Sequence, residues 1–185
     1  MPTPLGHALA GLTIAWSSSA VYRAPVRHRA GMSLAFSAAV FAIAPDFDFV
    51  YPPIHRMMSH SIIAVIAATI CAAVIAHRTK QERPWLTTMV CGLAYASHLA
   101  LDWLGGDTKV PAGIQLLWPF SDTWFISSWN VFGATEVGSF FQRWAMIANL
   151  VALLRELAIL APFAAGAWLL RRRAQPARQP AATGS

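Results

Sequence analysis

The sequence predicts an all-α fold, a polytopic transmembrane bundle of about five helices with an aromatic-rich interfacial loop. Three observations predict it. Of 185 residues, 56% are hydrophobic and only 12% charged, about half the charged share usual in a soluble domain. The apolar residues fall into runs of roughly membrane-spanning length. Short basic stretches separate those runs, as expected where loops face the cytoplasm.

The runs are Leu5 to Tyr22, Met32 to Tyr51, Ser61 to Ala76, Trp85 to Leu104 and Trp144 to Leu170. No Lys or Arg precedes the first, so it lacks the basic leader of a signal peptide and reads as a retained helix. Arg23, Arg27 and Arg29 fill one loop, Arg78, Lys80 and Arg83 another, and Arg171, Arg172, Arg173 and Arg178 follow the last run. Counting crossings from these loops puts the N-terminus, the Tyr51 to His60 loop and the Gly105 to Arg143 segment outside, with the C-terminus inside. Residues 1–170 form the expected transmembrane domain, and 171–185 a basic, Pro- and Ala-rich cytoplasmic tail unable to bury a core.

The net charge of +6 sits in the loops and tail without any nucleic-acid-binding motif, which excludes a nucleic-acid partner and leaves membrane lipids. Cys71 and Cys91 lie inside apolar runs without metal-type spacing and read as small buried hydrophobes. The long outer segment holds Trp118, Phe120, Trp124, Phe125, Trp129, Phe132, Phe140 and Phe141. Such rings favour the headgroup level, so the segment is expected to lie on the outer interface or to cover a site.

On this topology His7, Asp46, Asp48, His55, His60, His98 and Asp102 all fall at outer helix ends or in the outer loop. His98 and Asp102 are four apart on one helix and share a face. Asp46 and Asp48 follow Pro45 at a helix end, an oxygen pair suited to hard or borderline divalent ions. Imidazoles add affinity for zinc, manganese or iron. Each element also has an ordinary explanation: a snorkelling His7, hydrated helix-end carboxylates, a His98–Asp102 hydrogen bond, and Ser59 or Ser61 as an N-cap of the third helix. No ordinary explanation accounts for their coincidence at one level, where ionisable groups are costly.

His28, His77, Asp107 and Asp122 are expected to be solvated, with Asp107 a reserve. Arg155 and Glu156 interrupt the centre of the fifth run. Glu156 is expected to face the interior, as a partner or ligand of the site or in a structural ion pair.

At these residues the chain resembles the LexA-regulated, membrane-bound metal-dependent hydrolase family of bacterial inner-membrane proteins. The matching pieces are Gly6-His7, Pro45-Asp46-Phe47-Asp48, His55-Arg56 with His60-Ser61, Ser97-His98 with Asp102, and Leu116-Leu117-Trp118-Pro119. Phe49 stands where that family often has a further His, and Met57, Met58 and Ser59 replace its usual Gly-Phe-Thr. The resemblance implies His7, Asp46, Asp48, His55, His60, His98 and Asp102 as metal-site residues.

The expected function is hydrolysis of an ester or phosphoester of a lipid or envelope-bound substrate by a metal-activated water, zinc being the expected ion. Asp48 or Asp102 would act as general base. Arg56 or Lys109 would stabilise developing negative charge. The rivals are a metal or proton transporter, a haem protein with paired histidines and a purely structural membrane protein.

Overall fold

The computed structural model describes residues 1–22, 33–50, 55–107, 110–136, 139 and 141–174, with the Phe49 side chain excepted. Among them are five α-helices and no strand: α1 Pro4–Val21, α2 Leu34–Ile43, α3 Ile62–Arg78, α4 Pro84–Leu104 and α5 Arg143–Ala174. A 3-10 segment, Ala44–Val50, continues directly from α2. The five predicted runs each become one helix. The Arg23 to Arg29 loop with His28, residues 51–54, Lys109, Phe140 and the tail beyond Ala174 lie outside the described residues.

Caps set most of the boundaries. Thr3 and Ser33 accept from the backbone N–H groups of Gly6 and Phe36, opening α1 and α2. Ser61, rather than Ser59, caps α3 by accepting from Ala64 at 3.2 Å. Pro45 ends α2, because proline has no N–H to continue the ladder and its ring crowds the preceding turn. α5 passes Leu170 to Ala174, so Arg171, Arg172 and Arg173 are its last turn rather than the start of a tail.

α1 packs against α2, α4 and α5, while α4 also packs against α2 and α3. Small side chains bring α1 and α2 together: Ala15, Ala38 and Ala42 are fully buried, and a Cβ on Gly11 would lie 2.6 Å from the Ala38 carbonyl oxygen. Close approach through small residues is the usual means of joining apolar helices where water supplies no driving force. At the basic end, Arg83 Nη1 donates to the Tyr22 carbonyl at 2.7 Å. The opposite end gathers the start of α1, the end of α2, the start of α3 and the end of α4.

Only α5, among the described residues, is both long and apolar enough to cross a membrane by itself; α3 is apolar but shorter. Polar residues and one proline explain the difference. His7 and Ser17 to Ser19 lower the hydropathy of α1, His98 and Asp102 that of α4, and Pro45 cuts the second run to a ten-residue α-helix. α5 also outreaches its neighbours. Glu156 contacts Thr3, so at 1.5 Å per residue the stretch from Arg143 extends about 20 Å past the start of α1.

The 105–136 segment folds back over the polar end. Ser127 N–H donates to Trp103 O at 2.7 Å, Gly106 N–H to Phe132 O at 2.8 Å, Ile62 N–H to Leu116 O at 2.9 Å and Gln115 N–H to Arg56 O at 3.0 Å. Ile114 and Phe132 are buried beneath it, whereas Phe120, Trp129 and Phe141 stay exposed. Of the cysteines, Cys91 is buried as expected, but Cys71 is exposed on the outer face of α3.

Candidate metal centre

Pro45 connects the helix break to the site. A tightened 3-10 ladder would draw the donor for the Ala42 carbonyl from position 45, and proline has none. That carbonyl instead faces His98 Nδ1 at 2.7 Å. A carbonyl only accepts, so His98 carries its proton on Nδ1 and turns an Nε2 lone pair toward the interior.

His60 is arranged in the same way. Its Nδ1 lies 3.3 Å from Asp48 Oδ2 and 2.9 Å from Ser59 Oγ, so a proton on Nδ1 is held there and Nε2 points inward. Asp48 is itself fixed by the Ser59 hydroxyl, by the Arg56 N–H at 3.1 Å and by His55 Nδ1 at 2.5 Å. Arg56 reaches this position with φ at 67°, a conformation costly for a residue with a side chain that persists only where the surroundings hold it.

The inward atoms converge. His98 Nε2 is 3.1 Å from His60 Nε2, and Asp102 Oδ2 lies 3.2 Å from each. His7 stacks on His98 with centroids 3.6 Å apart, its Nε2 3.5 Å from Asp102 Oδ1. Asp46 Oδ1 lies 3.5 Å from His98 Nε2. His7, His60, His98 and Asp102 are at most 1% exposed, yet both His7 nitrogens and Asp102 Oδ2 lack any well-aligned hydrogen bond.

Buried polar atoms left in that condition cost on the order of 1–3 kcal/mol each. The spacing is close to that of a cation site: donors 2.0–2.2 Å from one ion in a tetrahedron stand about 3.3–3.6 Å apart, and here they stand 3.1–3.5 Å apart. Two donor sets emerge, His60 with His98 and Asp102, and His7 with Asp46 and His98. Each orienting contact on the far nitrogen, to a carboxylate or a backbone carbonyl, is of the kind that fixes metal-ligating histidines.

All seven predicted residues therefore meet at one end of the bundle, in two tiers. His7, Asp46, His60, His98 and Asp102 form the inner tier. Asp48 and His55 pair with each other and back His60, outside the two donor sets. Burial lowers the His60 pKa, but the carboxylates of Asp102, 3.2 Å from its Nε2, and Asp48, 3.3 Å from its Nδ1, outweigh it and raise the value to about 9.

Several roles differ from expectation. Asp107 is not solvated: it is nearly buried and ion-paired with Arg56 Nη1, and it accepts from Gly113 N–H at 3.1 Å. The Arg56 guanidinium is thus held by a carboxylate. Glu156 faces the interior but binds Thr3 rather than the cluster, and Arg155 donates to the Asn130 carbonyl at 2.9 Å instead of pairing with it. Sequence reasoning missed Ser59 as an Asp48 partner and the Ala42 carbonyl as a His98 partner. Pro45 was the available signal for the second.

Helices that deliver imidazoles and carboxylates to one buried point define a helical-bundle protein with a candidate metal centre. Residues 1–175 match the family model described as YdjM inner membrane protein, and the chain belongs to that family. This places it at the bacterial inner membrane, in agreement with the resemblance drawn above on location; the family's description says nothing of a reaction. No curated protein and no solved structure matches the chain.

Proposed function

We propose that the protein is a multi-pass inner-membrane hydrolase that holds a divalent metal, zinc best suiting the donors, at its extracytoplasmic end and cleaves an ester or phosphoester of a lipid or envelope-associated substrate. The observation that carries this reading is the 3.1 Å approach of the His60 and His98 Nε2 atoms. With both outer nitrogens already given donor roles, loss of the His60 Nε2 proton turns two lone pairs and a carboxylate oxygen toward one point, an arrangement a cation stabilises.

A bound divalent ion supplies Lewis acidity there and brings the pKa of water down from 15.7 toward about 7. The inner tier holds the ion, with Asp102 as a buried anionic ligand. Asp48, outside the donor sets and less buried, holds the outer nitrogen of His60, its own orientation fixed by His55, Ser59 and the Arg56 N–H. Among the described residues, Arg56, ion-paired with Asp107, is the cation assigned to developing negative charge.

The multi-pass reading is supported by the surface of the bundle. Ile66, Ile70 and Val74 on α3, Leu93 on α4, and Leu150 and Leu154 on α5 are all more than half exposed, inverting the usual soluble arrangement while the charged groups lie inside. A cavity of about 350 Å³ between α3 and α4, lined by Val65, Ala96, Leu99, Trp103 and Leu116 among others, suits an acyl chain.

Two rivals fit the geometry less well. Beneath the cluster the packing is Ala15, Ala38, Leu86, Val90 and Ala94, which offers an ion no stepping stones. His98 packs against both His7 and His60, which leaves no slot for a porphyrin between the rings.

The test is metal analysis of the purified protein beside His98→Ala and Asp102→Ala, together with hydrolysis of long-chain esters and phosphoesters. Metal and hydrolysis in the wild type, both lost in the variants, are expected. Undiminished metal in both variants would overturn the assignment.

A further inference from the structure

Glu156 is a fully buried carboxylate that the proposed chemistry does not use. Its Oε1 accepts from the Thr3 backbone N–H at 2.8 Å and its Oε2 from the Thr3 hydroxyl at 2.6 Å. Thr3 is the N-cap of α1, and its carbonyl accepts from the His7 N–H at 3.2 Å. One side chain on α5 therefore fixes two polar groups of the residue from which the His7 turn is built. The carboxylate also sits at the positive end of the α1 dipole.

Glycine at position 6 admits this contact, since a Cβ there would lie 2.8 Å from Glu156 Oε2. His7 has particular need of such an anchor. His98 and His60 are oriented through their outer nitrogens, by Ala42 and by Asp48 with Ser59, whereas neither His7 nitrogen has a well-aligned hydrogen bond. Its ring is placed by the His98 stack, by a 3.5 Å approach to Asp102 Oδ1 and by the position of the α1 backbone.

We infer that Glu156 is the positioning residue for His7, fixing the height and rotation of the first turn of α1 so that the imidazole stacks on His98 and faces Asp102. A carboxylate present only for stability would be replaceable by apolar packing; one that sets register is not. The contribution of His7 to metal binding rests on the function proposed above, but its placement by Glu156 does not.

The test uses full-length protein in detergent with labelled histidines. In metal-free protein, Glu156→Ala is expected to shift the His7 ring resonances and leave those of His60 and His98 smaller changes, with Glu156→Gln restoring most of the wild-type position. Thr3→Val, which removes one of the two contacts and keeps the carboxylate, should shift His7 part of the way and serves if Glu156→Ala does not fold. Loaded with cobalt(II), Glu156→Ala and His7→Ala should show the same altered visible spectrum and about 10–100-fold weaker binding. Unmoved His7 resonances in Thr3→Val and in whichever Glu156 variants fold would overturn the inference. Failure of the wild type to bind cobalt would instead overturn the metal reading and leave the resonances to decide the positioning.

Discussion

The His98 ring and the Ala42 carbonyl stand 2.7 Å apart, a contact made available by the proline three residues beyond Ala42. Pro45→Ala would return a backbone N–H at the point where the ladder lacks one. That N–H would compete for the Ala42 carbonyl and free His98 to exchange tautomers. Loss of such an orienting contact typically weakens metal binding about 10–100-fold. Competition titration against a chromophoric chelator should show that loss with helical content retained; unchanged affinity would sever the helix break from the site.

How much of this was legible in the sequence depends on the distance over which each relation acts. The His98 and Asp102 pairing was readable because a helix has a fixed period. The gathering of His7, Asp46 and His60 at the same end followed from counting helices between basic loops. The two tiers were not readable: Asp48 and Asp46 are two residues apart, and only the path of the 3-10 segment sends one to His55 and the other to His98. Glu156 faces the interior as expected, but its partner Thr3 was not readable, because α5 slides past α1 and axial offset between helices leaves no trace in hydropathy. The Arg56 and Asp107 pair joins loops about fifty residues apart, and nothing local announces it.

The His60 pKa gives the metal-free protein a definite pH dependence. Its folded value, about 9, exceeds the ordinary 6.5, so the protonated ring is stabilised by folding. That contribution is complete below about pH 6.5 and is lost as pH rises through about 9, on the order of 3 kcal/mol in all. Melting temperature in excess chelator should therefore fall between pH 6 and 9.5, and His60→Ala should flatten the slope. Metal binding displaces the same proton, so affinity should rise over that window. A metal-free protein that gains stability toward pH 9.5 would contradict the contacts assigned to His60.

Asp107→Asn isolates the ion pair with Arg56. The Arg56 side chain is 14% exposed and the Asp107 side chain 4%, so removing the carboxylate strands a mostly buried cation. The expected destabilisation is about 3 kcal/mol, read by denaturant or thermal unfolding in detergent. Adding Arg56→Met should recover much of that loss, since no unpaired charge then remains. If the double variant is no more stable than Asp107→Asn, the carboxylate matters for something other than this cation, such as the 3.1 Å bond from Gly113.

The cavity between α3 and α4 makes a prediction about substrate length. Ala96 and Leu99 line it from α4, and Leu99 follows the candidate ligand His98 directly, so an acyl chain lying there would approach the centre from the apolar side of that helix. Ala96→Trp adds a bulky ring to the cavity wall without touching any residue of the inner tier. Against a series of chromogenic esters, the variant should match the wild type on two-carbon chains. On chains of twelve carbons or more, kcat/KM should drop by a factor of ten or more, since each buried methylene contributes roughly 0.8 kcal/mol. Equal losses at every length would place the substrate elsewhere, and an unaltered long-chain rate would remove this cavity from the substrate path.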